Sequence, residues 1–219
     1  MQTRFSKKST FFEQCILFLF MQHLIIGITG GIGSGKTTVC QIFEALGIPV
    51  YYADERAKWL MVHDPELKQG IQDLFGAMAY NAEGQLNRRY IAQIVFNNPQ
   101  QLQQLNALVH PAVARDAEAW NRALTDVPYT LREAALIYEA GIDKHLDKVI
   151  VVTAPMPLRI QRVVQRDQVT PAEVEARMAQ QLPEEEKVRR ADYVIINDGA
   201  QSLITQVLKI HRALCSIRK

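Results

Sequence analysis

The sequence predicts an α/β fold built on a parallel sheet, and three observations carry that expectation. Short apolar runs recur along the chain: LIIGI at 24–28, IPVYY at 48–52, AALIY at 134–138, KVIVV at 148–152 and YVIIN at 193–197. Runs of that length suit strands buried on both faces of a parallel sheet. Between them lie stretches with apolar residues at helical spacing. With 219 residues, 48% of them hydrophobic, the chain has enough material for one such domain without a disulfide or metal staple.

Taken in order, LIIGI is the first strand. Residues 36–46 follow with Val39, Ile42, Phe43 and Leu46 on one face, and Gly47 supplies the left-handed residue that ends a helix. IPVYY reads as the second strand, with Pro49 near its start, where a missing N–H is tolerated. Strand, helix and strand make one right-handed βαβ unit. From about 54 to 126 the pattern is helical, with turns at AEGQ (82–85) and NNP (97–99); PQQLQQLNALVHP carries Leu102, Leu105, Leu108 and Val109 as an amphipathic helix. AALIY and KVIVV, separated by EAGIDKHLD, are expected to return the chain to the sheet. A charge-dense stretch from Thr153 to Arg190 contains a capping box at Thr170-Pro171-Ala172-Glu173. YVIIN is then the last strand, NDG (197–199) its turn, and 201–214 a closing helix.

Composition narrows the function classes. Cys15, Cys40 and Cys215 are odd in number, far apart and without metal-ligand spacing, which favours a reducing compartment and no structural zinc. A net charge of +2 and a sequence pI of about 8.4 lack the basic excess of a dedicated nucleic-acid binder. Residues 1–20 imitate a signal peptide poorly: Glu13 interrupts FFEQCILFLF, no small-residue cleavage site follows, and the apolar run is far short of the roughly 20 residues that span a bilayer. They read as an extension outside the domain, with Met21 as the functional start and 21–219 as a single domain; an N-terminal helix is the alternative. Neither a membrane nor a nucleic acid is expected as a partner.

Gly30-(x4)-Gly35-Lys36-Thr37 fits the phosphate-loop pattern G-x-x-x-x-G-K-[ST] and lies between a predicted strand and a predicted helix, the context that pattern requires. Glycines let the backbone N–H groups of Gly31, Ile32, Gly33, Ser34 and Gly35 wrap phosphate oxygens, and the helix from Lys36 through Thr37 and Thr38 adds the positive end of its dipole. The Lys36 ammonium reaches the β- and γ-phosphates, and the Thr37 hydroxyl can ligate Mg²⁺. The loop names a nucleotide but no reaction.

Asp54 follows the second strand, and in open α/β sheets the carboxyl ends of adjacent strands share one crevice. A carboxylate there can take a proton from an attacking hydroxyl or help to hold a metal; it can also cap the helix ADERAKWL. Arg159, Arg162 and Arg166, spaced by three and four, lie along one helical face leaving the same edge. They read either as a solvated surface or as a lid whose charges meet the transferring phosphoryl group. Asp73-Leu74-Phe75-Gly76 matches DxxG by letter but sits in a helical pattern, and no NKxD occurs, so a GTPase switch falls behind a small kinase.

Several segments together resemble the dephospho-coenzyme A kinases: GITGGIGSGKTT; Ala53-Asp54 with Arg56-Ala57; IVF (94–96) with Asn98-Pro99; Leu108-Val109-His110-Pro111; AALIYE; RIQRVVQRD; and ADYVIINDG. They run in order from about 24 to 200. The resemblance implies ATP- and Mg²⁺-dependent phosphorylation of the ribose 3′-hydroxyl of dephospho-CoA, in the cytoplasm, by a monomer or weak homo-oligomer. It implies a P-loop NTPase-like three-layer sandwich with a parallel sheet, a helical substrate-binding subdomain at about 54–125 and a lid at about 155–190. Carried over by residue, Lys36 and Thr37 are the phosphate and Mg²⁺ groups, Asp54 the base, and Arg162 and Arg166 lid arginines. Thr29 and His110 lie on the substrate side, and Asn197 to Gly199 near the adenine. Two departures stand out. Tyr52 replaces an acid two residues before Asp54, and Glu133 occupies the place of a strand-end Asp, as a Walker-B-like acid acting through water or a solvent-side acid.

Overall fold

The computed structural model describes residues 23–96 and 98–217; the stretch 1–20, the start at Met21 and Cys15 lie outside the described residues. Five strands, β1 (Leu24–Thr29), β2 (Val50–Tyr52), β3 (Tyr129–Glu133), β4 (Lys148–Thr153) and β5 (Tyr193–Ile196), form one sheet in the order β2-β3-β1-β4-β5. Every neighbouring pair is parallel. The helices are α1 (Lys36–Ala45), α2 (Ala53–His63), α3 (Pro65–Phe75), α4 (Arg88–Phe96), α5 (Pro99–Arg122), α6 (Met156–Asp167), α7 (Pro171–Met178), α8 (Glu184–Arg190) and α9 (Leu203–Cys215).

Each sheet face is covered by helices, as an all-parallel sheet requires. On one side Val39 and Phe43 of α1 and Val207, Ile210 and Leu214 of α9 pack against Ile26, Ile28, Leu131 and Ile150. On the other, Ala117 of α5 and the Ile137–Tyr138 segment cover Tyr51, Val149 and Val151, with Val188 of α8 at the margin. A third cluster stands beside the sheet, where Leu60, Leu67, Ile71, Phe75, Ile91 and Ala112 join α2 to α5. The capping box forms as its letters require: Thr170 Oγ1 accepts from Glu173 N and Glu173 Oε2 accepts from Thr170 N.

The strand expected at AALIY is built instead by the preceding YTLRE, and residues 135–140 are turns. Thr130 is fully buried because its hydroxyl donates to Asn121 Oδ1 at 2.8 Å, and Glu133 pairs in register with Ile28. Satisfied polar groups are as acceptable inside a sheet as apolar ones, so the apolar letters of AALIY mark burial and not extension: Ile137 and Tyr138 fill the second core. β2 starts later than expected, at Val50, and Pro49 contributes only its carbonyl, which accepts from Leu131 N at 2.9 Å.

That turn segment also anchors α8. Lys187 is fully buried, and its Nζ lies 2.8 Å from Glu139 Oε1, which also accepts from Leu182 N at 2.9 Å. Burial alone would raise the Glu139 carboxyl, but the Lys187 ammonium and the Leu182 amide outweigh it and hold it below its usual range. Removing Glu139 strands the Lys187 ammonium in the core. Glu139→Ala therefore costs about 3–5 kcal/mol in urea denaturation, and the double replacement Glu139→Leu with Lys187→Met recovers most of it. A single-variant loss no larger than that of a surface substitution would show that the pair is solvated.

Candidate active site

β1 ends at Thr29 and the chain turns through Gly30–Gly35 into α1. Gly35 caps that helix at φ +91°, with no side-chain cap and no acid in the first turn, so its leading amides and positive dipole end face whatever fills the loop. Gly33 has φ +79°, and a Cβ there would run into the backbone of Arg159. Only glycine lets α6 lie this close to the loop.

Lys36 Nζ donates to Gly30 O at 3.2 Å and stands 3.9 Å from Glu133 Oε1. Glu133 is 8% exposed, which removes the solvent-side reading of this residue. Burial lowers the Lys36 pKa, with Glu133 and Asp54 opposing and Lys187 adding to the fall. Burial raises the Glu133 carboxyl, Lys36 opposes, and Asp54 and Glu55 push it further up. Burial thus disfavours the charged form of both groups, and Glu133, Asp54 and Glu55 outnumber the one Lys36 ammonium that opposes them. Phosphate oxygens would satisfy the ammonium, and a divalent cation would relieve the crowded carboxylates.

Asp54 is the second residue of α2 and is exposed. Tyr52 is the N-cap and no side chain caps the helix, so Asp54 is not used as a cap. Tyr52, at the departure from the family pattern, turns its hydroxyl to Glu44 Oε2 at 3.0 Å. Thr37 and Thr38 are exposed on the first turn of α1. Thr29 is fully buried and donates to Ala135 O at 3.2 Å, while the buried Ser34 Oγ has no hydrogen-bond partner.

The three arginines of α6 have three different surroundings. Arg159 is buried, pairs with Glu184 and donates from Nε to Ile32 O at 3.0 Å, bracing the loop from below. Arg162 reaches Gly33 O at 3.4 Å and both the carbonyl and side-chain oxygens of Asn197 at 3.2 Å. Arg166 pairs with its neighbour Asp167 and is exposed. Asn197 Nδ2 donates to Ser34 O at 2.8 Å, which fixes the end of β5 against the loop; Gly199 lies in the exposed turn beyond. His110 sits on the exposed side of α5 in a shallow groove of about 500 Å³ with Leu102, Asn106 and Pro111, and no loop residue lines it.

The structure therefore brings Lys36, Glu133, Asp54, Arg162 and Asn197 together around the loop, and leaves Arg166 and His110 apart from it. Sequence reading missed Gln181 and Glu184. Gln181 Oε1 accepts from Ile32 N at 3.0 Å across 149 residues of sequence, and a contact to a backbone amide leaves no mark in the letters.

A family model described as dephospho-CoA kinase matches residues 24–202. The chain belongs to the dephospho-CoA kinase family. A dephospho-CoA kinase from Salinibacter ruber is 46% identical over 176 residues, 80% of this chain and 88% of that protein. One from Chlorobaculum tepidum is 43% identical, over 89% of this chain and 96% of that protein. A crystal structure from Thermus thermophilus matches with a TM-score of 0.79 at 36% identity, covering 88% of this chain and 97% of that one. The P-loop kinase fold and the phosphate loop found from geometry are thus those of enzymes that carry out the last step of coenzyme A biosynthesis. The chain is a phosphotransferase with a hydroxyl acceptor and uses ATP. Among the described residues no helix is long and apolar enough to cross a membrane.

Proposed function

We propose that this dephospho-CoA kinase holds the ATP triphosphate in the Gly30–Thr38 loop and transfers its γ-phosphoryl group in line to the ribose 3′-hydroxyl of dephospho-CoA, with Asp54 as the general base. The observation that carries the reading is the charge cluster at the mouth of the loop. Asp54 and Glu133 act together on a buried Lys36 that has little other counter-charge. Asp54, the only exposed member of that trio, is the one an acceptor hydroxyl can reach. Lys36 neutralises the β- and γ-oxygens, and Arg162, already against Gly33, meets the charge that develops during transfer.

The donor set fits Mg²⁺: an exposed Thr37 hydroxyl and the Glu133 carboxylate would hold it alongside phosphate oxygens and water, the mixture this ion prefers. When bound, it supplies Lewis-acid stabilisation of the phosphate oxygens. Residues 54–125 form the acceptor side in this reading, with His110 toward dephospho-CoA; Thr29, fully buried and bonded to Ala135 O, supports the strand end and does not touch the acceptor. Residues 155–190 form the lid, with Arg166 released from Asp167 as it closes and excludes water. Asn197 and Gly199 border the adenine of ATP.

ADP release measured with dephospho-CoA, nucleoside monophosphates and shikimate as acceptors tests the assignment. Strong stimulation by dephospho-CoA alone is the expected result. Stimulation by another acceptor and none by dephospho-CoA would overturn it.

A further inference from the structure

Ile32 is gripped on both sides of its Cα by the segment that follows β4. Its carbonyl accepts from Arg159 Nε on α6, and its N–H donates to Gln181 Oε1, just past α7, each at 3.0 Å. Arg159 is itself neutralised by Glu184 at the start of α8, and it lies under the loop so closely that a Cβ on Gly31 would meet its guanidinium. The next residue, Gly33, takes the left-handed conformation at φ +79° and offers its carbonyl to Arg162. Three side chains from one excursion of the chain thus set the orientation of three successive loop peptides, 31–32, 32–33 and 33–34.

We propose that Gln181 is a positioning residue of the phosphate loop: by holding the Ile32 amide it fixes the Ile32–Gly33 turn and ties the loop's shape to the position of the chain between α7 and α8. Ile32 then serves as a strut, and its N–H is committed to the protein, as is that of Ser34, which donates to Gly31 O at 3.1 Å, while other loop amides, those of Gly33 and Gly35 among them, meet the nucleotide. The catalytic part of this inference rests on the reading of the loop as the ATP site.

The consequence for transfer is geometric. The Gly31–Ile32 peptide is held at its carbonyl by the Ser34 N–H at 3.1 Å and at its own N–H by Gln181. Without Gln181 it is held at one end only and can rotate, and reacting groups misplaced by such a rotation lose rate even where every catalytic side chain is intact. A contact made by one side-chain oxygen separates acceptor chemistry from bulk. Gln181→Met keeps the length and loses the acceptor, whereas Gln181→Glu keeps an oxygen at the same place.

Hydrogen exchange at the Ile32 amide, followed by NMR on the nucleotide-free protein, is measured beside steady-state kinetics of the same variants. In Gln181→Met the amide exchanges faster and kcat falls by about tenfold, with the KM for dephospho-CoA unchanged. Gln181→Glu stays close to the parent in both. A Gln181→Met enzyme with parental kcat, whether or not its Tm falls, would overturn the proposal, as would a Gln181→Glu enzyme as impaired as Gln181→Met. Failure of the ATP-site reading shows elsewhere: Lys36→Ala would bind ATP like the parent, while exchange at Ile32, read without nucleotide, would still respond to Gln181.

Discussion

Asp54→Asn lowers the turnover of dephospho-CoA phosphorylation by about 10²–10⁴-fold, while ATP binding stays close to that of the parent. The substitution keeps the size and position of the side chain and removes its basicity. Asp54 makes no helix cap, since Tyr52 holds the N-cap position, so the start of α2 loses only the ~0.3–1 kcal/mol of a first-turn negative charge, and Glu55 keeps one there. Asp54 is also exposed, and the buried Lys36 ammonium that it helps to balance keeps Glu133 at 3.9 Å, so the fold tolerates its loss. The loop amides, Lys36 and the free end of α1 remain to bind the triphosphate. Steady-state turnover and equilibrium titration with ATP separate the two effects. Near-parental turnover would remove Asp54 as the base and leave Glu133, 3.9 Å from Lys36, as the next candidate.

Lys36→Ala weakens ATP binding and lowers turnover together, the latter by about 10²–10³-fold, the scale of losing one preorganised charge at the transferring group. The ammonium is buried against Gly30 O and Glu133 and has its pKa lowered, chiefly by burial. Its removal leaves Glu133, already raised by burial, without the one cation that opposes the rise. Glu133 can then take up a proton, so the fold survives while the site loses its charge. Arginine is a poor substitute, because a planar fork cannot occupy the place of a point charge beside Gly30. The same titration and assay read the result, and an unchanged ATP affinity would contradict the role given to Lys36.

Much of this fold was legible in the letters because its signals are local. LIIGI and KVIVV are apolar on both faces, Thr170 to Glu173 carries its own cap, and Gly30 to Thr37 spells the loop outright. β3 was displaced because burial does not require apolar letters. Thr130 is satisfied by Asn121 and Glu133 faces the Lys36 ammonium at 3.9 Å, whereas Ile137 is apolar to fill a core outside the strand. At the site, spacing placed the arginines on one helix, but it could not distinguish Arg159 beneath Ile32, Arg162 on Asn197 and Arg166 on Asp167. The first two depend on partners far apart in sequence, and the third on a neighbour that all three arginines could not share. The Gln181 contact is of the same kind, since its partner is a main-chain amide that every residue but proline possesses.

Phosphorus NMR of the product formed from ATP, Mg²⁺ and dephospho-CoA by the parent and by Asp54→Asn is the most direct measurement. With the parent, a new phosphomonoester on the ribose 3′-oxygen grows in step with ADP, and with Asp54→Asn both signals all but disappear although ATP is still bound. Phosphate placed on another hydroxyl, or ADP accumulating with free phosphate and no new ester, would contradict the assignment of loop, base and acceptor.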